Sequence, residues 1–357
     1  MRLNRRPKNP LPVALFALLT ASPVGLIAAG CILGGVWPGL ALLVMAVLPV
    51  LIDRLLPYAA PDAAEAAEFP AATALLLGLG AGHLMLLPLV VWAVAADDLR
   101  PGEKVALFLA AGLWFGQVAH PAAHELIHQQ RRLPRALGVA IYVTLLFGHH
   151  ASAHRLVHHR HVASHRDPNT ARAGEGFYRY AMRAWAGSFR AGFRAETRLR
   201  AGVSGKVGLP HPFVIYILGA ALSLGLGAVL GGWSGFWVWA GLGGHATAQV
   251  LLSDYVQHYG LRRHKCPDGK LEPVGPPHSW NAGAWYSAAV MLNAPRHSDH
   301  HAHPSRPYPA LRLPAPEVAP RLPWPLPLAC LIALVPPLWR RLMQPQLARW
   351  NPPSAAW

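Results

Sequence analysis

Long apolar stretches separated by short polar joints run through most of the chain. The first two cover about 12–31 and 34–53, and each is close to the roughly 20 residues that carry a helix across a bilayer. The joint Gly34-Gly35-Val36-Trp37-Pro38-Gly39 is tight enough to make them a hairpin. Residues 54–69 are polar. A third span covers about 71–96 and ends at Asp97-Asp98-Leu99-Arg100-Pro101-Gly102. A fourth, about 104–123, leads directly into His124-Glu125-Leu126-Ile127-His128, and Arg131, Arg132 and Arg135 follow. Arg2, Arg5, Arg6 and Lys8 precede the first span, which places that end in the cytoplasm by the positive-inside rule. A cleaved signal peptide would also start basic and then apolar, but the second span follows almost at once. An even number of spans then puts His124 and His128 on the cytoplasmic side.

Residues 136–150 are apolar but too few to cross comfortably. A crossing there would also separate the histidines of 154–159 from His128. The segment is therefore expected to be re-entrant, interfacial, or packed on the bundle. Residues 155–206 hold eleven Lys and Arg against Asp167, Glu175 and Glu196. Phe177, Trp185, Phe189 and Phe193 recur among the arginines at roughly helical spacing, which fits a helix on the membrane surface or an ordinary packed amphipathic helix. Two further spans, about 212–231 and 234–254, hinge at Gly231-Gly232-Trp233. Residues 259–321 are polar and rich in Pro and His. Residues 322–339 are apolar but broken by five prolines, and Arg340 and Arg341 follow, so an interfacial segment is expected. The pattern predicts an all-α integral membrane protein with about six transmembrane helices and one membrane-embedded domain over 1–357. Its cytoplasmic segments are 124–211 and 255–321.

Composition agrees. The 357 residues are 53% hydrophobic and only 13% charged, where soluble domains are about a quarter charged. Lys and Arg outnumber Asp and Glu by 32 to 16. These charges lie between apolar spans, which points to lipid headgroups or an acidic protein rather than nucleic acid. Three scattered cysteines exclude a disulfide framework, an iron–sulfur site and a fused rubredoxin-type module.

The chemistry lies in the 20 histidines. In a helix His297, His300 and His301 fall at i, i+3 and i+4, on one face. His124 and His128 form an HExxH pair; His154, His158 and His159 form HxxxHH; His258 ends the last span. HExxH alone would suit a zinc protease with Glu125 as base, but that motif needs one further ligand and this chain offers seven. Imidazole suits iron, copper, zinc and nickel. Nine ligands exceed what one metal holds, so at least two are implied. A division into four and five would leave coordination positions open for oxygen on iron. Glu125, Asp254 and Asp299 are placed to accept bonds from outer ring N–H groups.

HELIHQ at 124–129, AHRLVHH at 153–159, DYVQHYGL at 254–261 and APRHSDHHAHP at 294–304 resemble the histidine boxes of the integral-membrane non-haem di-iron monooxygenases, above all the alkane 1-monooxygenase family. Order and internal spacing match over about 120–310. The departures are Ala153 and Gln257 where the family has acidic residues, Asp254 for Asn and Gln129 for Lys. Membrane desaturases and xylene-type monooxygenases share the broader plan.

The resemblance implies two non-haem iron ions held by the nine histidines, with O2 as co-substrate. It also implies hydroxylation of the terminal methyl of a medium- or long-chain alkane, or of an acyl or aromatic-methyl substrate. The setting would be a bacterial-type inner membrane, and the electrons would come from rubredoxin, itself served by a rubredoxin reductase. The chain lacks any flavin- or nicotinamide-binding fingerprint of its own, so a separate donor is needed. Its expected docking face is basic and includes Arg262, Arg263 and Arg296.

Overall fold

A computed structural model describes residues 12–65, 67–202 and 210–350. Arg2, Arg5, Arg6 and Lys8 lie outside the described residues. The described chain is helical, and its only bridges are isolated ones, Lys265 with Leu271 and Asn281 with Arg321. In chain order the helices are α1 (Val13–Leu33), α2 (Trp37–Leu55), α3 (Pro70–Ala95), α4 (Pro101–His128), α5 (Arg132–Thr144), α6 (150–161), α7 (Phe177–Ala201), α8 (Pro212–His258), α9 (Trp285–Val290), α10 (His297–Ala302), α11 (Leu326–Ala333) and α12 (Pro336–Trp350).

Five of these, α1 to α4 and α8, are long and apolar enough to cross a membrane. Helix α8 has 47 residues, which would span about 70 Å if straight, more than twice a hydrocarbon core of roughly 30 Å. It is not straight. Gly231 and Gly232 leave the helical region, and Gly232 has φ 58°, a conformation that costs glycine nothing. A side chain on either Gly227 or Gly235 would overlap the other's carbonyl, so the arms 212–230 and 233–258 fold back on each other. The expected hinge is therefore present, inside one broken helix.

Helix α5 shows why 136–150 need not cross. It has 13 residues and returns along α4. Its C-terminal end is tied to two long helices, since Trp239 Nε1 donates to the Thr144 carbonyl at 2.8 Å and His83 Nε2 lies 2.8 Å from Thr144 Oγ1. These bonds satisfy a carbonyl that the helix terminus leaves free. The chain then turns at 145–149 and starts α6 beside the end of α4.

Helix α7 combines both readings of its sequence. Phe177, Tyr180, Ala184, Ser188 and Gly192 are buried against the bundle. Tyr178, Met182, Trp185 and Phe193 are exposed on a second face, and Arg194 and Arg198 on a third. The proline-broken C-terminal stretch forms α11 and α12, which bury Leu326, Ala329, Trp339 and Met343.

Candidate metal centre

Four chain segments end at one place. Helix α4 brings His124 and His128, one turn apart. Helix α6 contains a π turn over His154–His158, in which the His159 N–H bonds the His154 carbonyl. His258 is the last residue of α8, and α10 carries His297, His300 and His301. The six-residue α10 is held by polar bonds as much as by apolar packing. Asn281 Oδ1 accepts from the Ser298 N–H and hydroxyl at 3.1 and 3.0 Å.

The nine side chains form two groups. His124, His128, His154, His159 and His300 make one; His158, His258, His297 and His301 make the other. Within each group the offered nitrogens lie within 4.8 Å of one another. The closest approaches are all between Nε2 atoms. They are 2.7 Å for His124–His154, 2.8 Å for His159–His154, 3.1 Å for His300–His159, 2.9 Å for His297–His258 and 3.1 Å for His301–His297. A neutral imidazole offers one N–H, so such a web cannot pair every nitrogen with a donor. His128 Nε2 and His158 Nε2 are buried with no hydrogen-bond partner among the described residues. Lone pairs converging in this way suit a transition-metal ion. Among the described residues no carboxylate belongs to either group.

The outer ring nitrogens find different partners from those expected. Asp167 Oδ2 accepts from His158 Nδ1 at 2.8 Å, and its carboxylate is also held by the Thr170 hydroxyl at 2.7 Å and the Asn169 N–H at 3.0 Å. Burial opposes protonation of His158, but the charge and hydrogen bond of Asp167 outweigh it and hold that imidazole above its usual range. Asp167 was not singled out from the sequence. Its signal is Asp167-Pro168-Asn169, a turn that closes on its own carboxylate nine residues after His158.

The three carboxylates expected in that role do other things. Glu125 accepts from the Tyr308 N–H at 3.1 Å. Asp254 accepts from Asn169 Nδ2 at 2.7 Å and thereby braces the Asp167 turn. Asp299 binds Arg306, the Arg312 N–H and His303 Nδ1, none of them in either group. Glu125 and Asp254 take partners 183 and 85 positions away in sequence, a direction that motif spacing does not record.

Two of the three expected docking arginines, Arg296 and Arg263, also need correction. Arg296 is buried, bonded to Asp62 at 2.6 Å and to the carbonyls of Leu311 and Ala60. It ties α10 to the 57–69 segment and offers nothing to a partner. Arg263 is half-buried and spends its guanidinium on the carbonyls of Glu272 and Arg160. Arg262 is half-buried.

A cavity of about 370 Å³ reaches the metal groups, touching His124, His154 and His300 of one and His297 of the other. Met45, Val50, Leu113, Leu252, Met291 and Leu331 give it apolar walls. Ala46, Ala248 and Leu331 line it and are also exposed on the outside of the bundle, so it opens between α2, α8 and α11. His120, His150 and His245 line it as well. His120 Nδ1 is 2.9 Å from the Tyr142 hydroxyl, and the His150 ring stacks on His154.

Comparison with known proteins agrees with this architecture. Residues 104–330 match the fatty acid desaturase family. Alkane 1-monooxygenase 1 of Pseudomonas aeruginosa is 33% identical over 289 residues, which covers 75% of this chain and 74% of the relative. Alkane 1-monooxygenase 2 of the same organism is 29% identical over 321 residues, or 87% and 84%. The xylene/toluene monooxygenase hydroxylase component of Pseudomonas putida is 28% identical over 264 residues, or 71% and 67%. With its apolar helices and paired histidine groups, the chain belongs to the fatty acid desaturase family and, within it, to the alkane 1-monooxygenases, as a multi-pass membrane oxidoreductase of the monooxygenase class.

Proposed function

We propose that the chain hydroxylates the terminal methyl of a hydrocarbon chain at two non-haem irons, one held by each histidine group, with electrons from rubredoxin. The cavity is the observation that carries this reading. It runs from an opening among exposed apolar residues to both groups, which is the path an apolar chain dissolved in lipid would take. The same six-span reading treats residues 1–357 as one membrane-embedded unit, with the two arms of α8 as separate crossings and the histidine face toward the cytoplasm of a bacterial-type inner membrane.

Bound iron supplies the activation of O2 and the insertion of one oxygen atom into a C–H bond. The protein's residues position and enclose. His124, His154, His297 and His300 line the cavity, so a chain threaded to that part of it lies beside both groups. The apolar walls exclude bulk water from that end. Asp167 fixes the ring of His158 in the orientation that turns Nε2 toward its group.

The donor's docking face is a groove beside α6, lined by Arg160, Arg166, Arg194 and Arg198 around Leu156 and Val157. None of the four guanidinium groups has an ion-pair partner among the described residues. Four unpaired like charges side by side suit an acidic partner. The groove floor is the π turn that carries His158, with His159 following it, so a docked carrier sits one residue layer from the ligands. Arg194 and Arg198 lie on a different face of α7 from the exposed aromatic residues, which favours a protein over a lipid surface.

Metal analysis of the purified protein, with a product assay on a medium-chain alkane and reduced rubredoxin, tests the reading. Two irons per chain and a primary alcohol are expected. One zinc and no alcohol would overturn it. The similarity to a xylene/toluene monooxygenase component keeps an aromatic methyl as the second substrate to assay.

A further inference from the structure

Hydroxylating a plain alkane requires nothing polar along the cavity, yet one wall is polar at membrane depth. His245, Gln249 and Ser253 follow one another at intervals of four on the second arm of α8, and all three line the cavity. Helix α4 faces them with Gln117. Such groups are costly within a bilayer and mark a ligand path when they face a cavity.

Most of this wall is used up within the protein. Ser253 Oγ donates to Gln257 Oε1 at 2.8 Å. Gln249 Nε2 donates to the Gly112 carbonyl at 2.8 Å, and its amide lies on Gly116, where any side chain would overlap it. The His245 ring is likewise pressed against Gly112, so its free Nδ1 is held against backbone. Gln117 differs. It lines the cavity beside the seated Gln249 amide, and its Oε1 is buried with no hydrogen-bond partner among the described residues. It also lies in the π turn Phe115–Ala119, whose wider winding displaces it from the regular helical track.

We propose that Gln117 recognises an oxygen function on the substrate chain, so that the preferred substrates are medium-chain alcohols oxidised at the far methyl rather than plain alkanes. A hydroxyl both donates and accepts, and so fits the Gln amide in either orientation. Gln117 lies seven residues before His124, about 10 Å along the helix axis at 1.5 Å per residue. That corresponds to about eight bonds of an extended carbon chain at roughly 1.25 Å each, given ordinary C–C lengths. In 1-octanol the hydroxyl is at this distance from the methyl. The reaction replaces one methyl C–H by C–OH. One oxygen atom of O2 enters the product and the other leaves as water, with the electron pair and protons supplied through the donor. The product is a terminal diol.

This inference rests on the hydroxylation reading above, and the test separates the two. Iron-loaded enzyme with its reduced donor is assayed on 1-octanol, on n-nonane, which has the same heavy-atom length, and on 1-undecanol, whose hydroxyl is displaced by three bonds. The expected kcat/KM for 1-octanol exceeds that for n-nonane by about tenfold, as for one ordinary hydrogen bond. The advantage should lie in KM and should be absent for 1-undecanol. Gln117→Leu, and Gln117→Met as a second variant, should bring the ratio close to one, with iron content reporting that each variant is folded. Turnover of n-nonane with no preference for 1-octanol, or a preference that survives both variants, overturns the role of Gln117 and leaves the hydroxylation reading intact. Turnover of none of the three substrates overturns both.

Discussion

His154 and His159 are five residues apart, and their Nε2 atoms approach to 2.8 Å, while His158, at the ordinary helical interval of four, turns into the other group. The π turn causes this. Its i→i+5 hydrogen bond winds the backbone more loosely, so the fifth residue, not the fourth, returns to the same face. One short segment thereby serves both metal groups. Helix α10 does the same with regular winding. His297 and His301, four apart, share a group, and His300 between them joins the other.

This division predicts how single substitutions act. Alanine at His124, His128, His154, His159 or His300 should weaken metal at one position, and alanine at His158, His258, His297 or His301 at the other. Iron per chain should fall from two toward one in each variant, and hydroxylation should be lost in all nine. Mössbauer spectra should show the remaining iron in one of two distinct environments, according to the group mutated. Full activity in two or more of these variants would defeat the assignment.

Asp167→Asn keeps the shape of the turn but replaces the charged acceptor facing His158 Nδ1. Loss of such an outer carboxylate lowers metal affinity by about 10–100-fold. Competition with a chelator should reveal this at one metal position only. Equal affinity at both positions would make Asp167 a brace for the 167–170 turn and nothing more.

The two sets of arginines should separate in their effects. Arg194→Glu and Arg198→Glu in the exposed groove should raise the apparent KM for rubredoxin, with a salt dependence that flattens in the variants, and leave iron content unchanged. Arg296→Ala removes a buried clamp and strands two carbonyls, a loss of about 1–3 kcal/mol for each buried group left unpaired. Its first symptom should be a lower Tm and lost iron, not a weaker donor interaction. A donor KM insensitive to both groove reversals and to salt would place the docking site elsewhere.

Topology can be read directly. Reporter fusions after residues 60, 145, 200 and 300 should all report the cytoplasmic side, and fusions near 36, 99 and 232 the opposite side. An external signal at 200 would mean that α5 crosses, and the histidines could not then share one face.

The sequence by itself marked the apolar stretches, the hinge and the nine histidines that converge. Each of these is a local property. Apolar length reads as membrane thickness, Gly231-Gly232 marks where a helix can reverse, and clustered histidines at turn spacing have few other uses. Tertiary structure alone decided which histidine joins which group, because a single added residue per turn, invisible in the motif, rotates His158 away from His154. It also decided the fate of the charged residues. Arg296 looked like a surface arginine until Asp62, more than two hundred positions earlier, was brought against it. Asp167 hydrogen-bonds His158 where Asp254 and Asp299 do not, because hydrogen bonds depend on distance and direction and sequence spacing carries neither. Gln117 belongs to the same class. In the chain it is one polar residue in an apolar span, and only the packing of α8 across Gly112 and Gly116 shows that the Gln249 amide is bonded while Gln117 Oε1 is not.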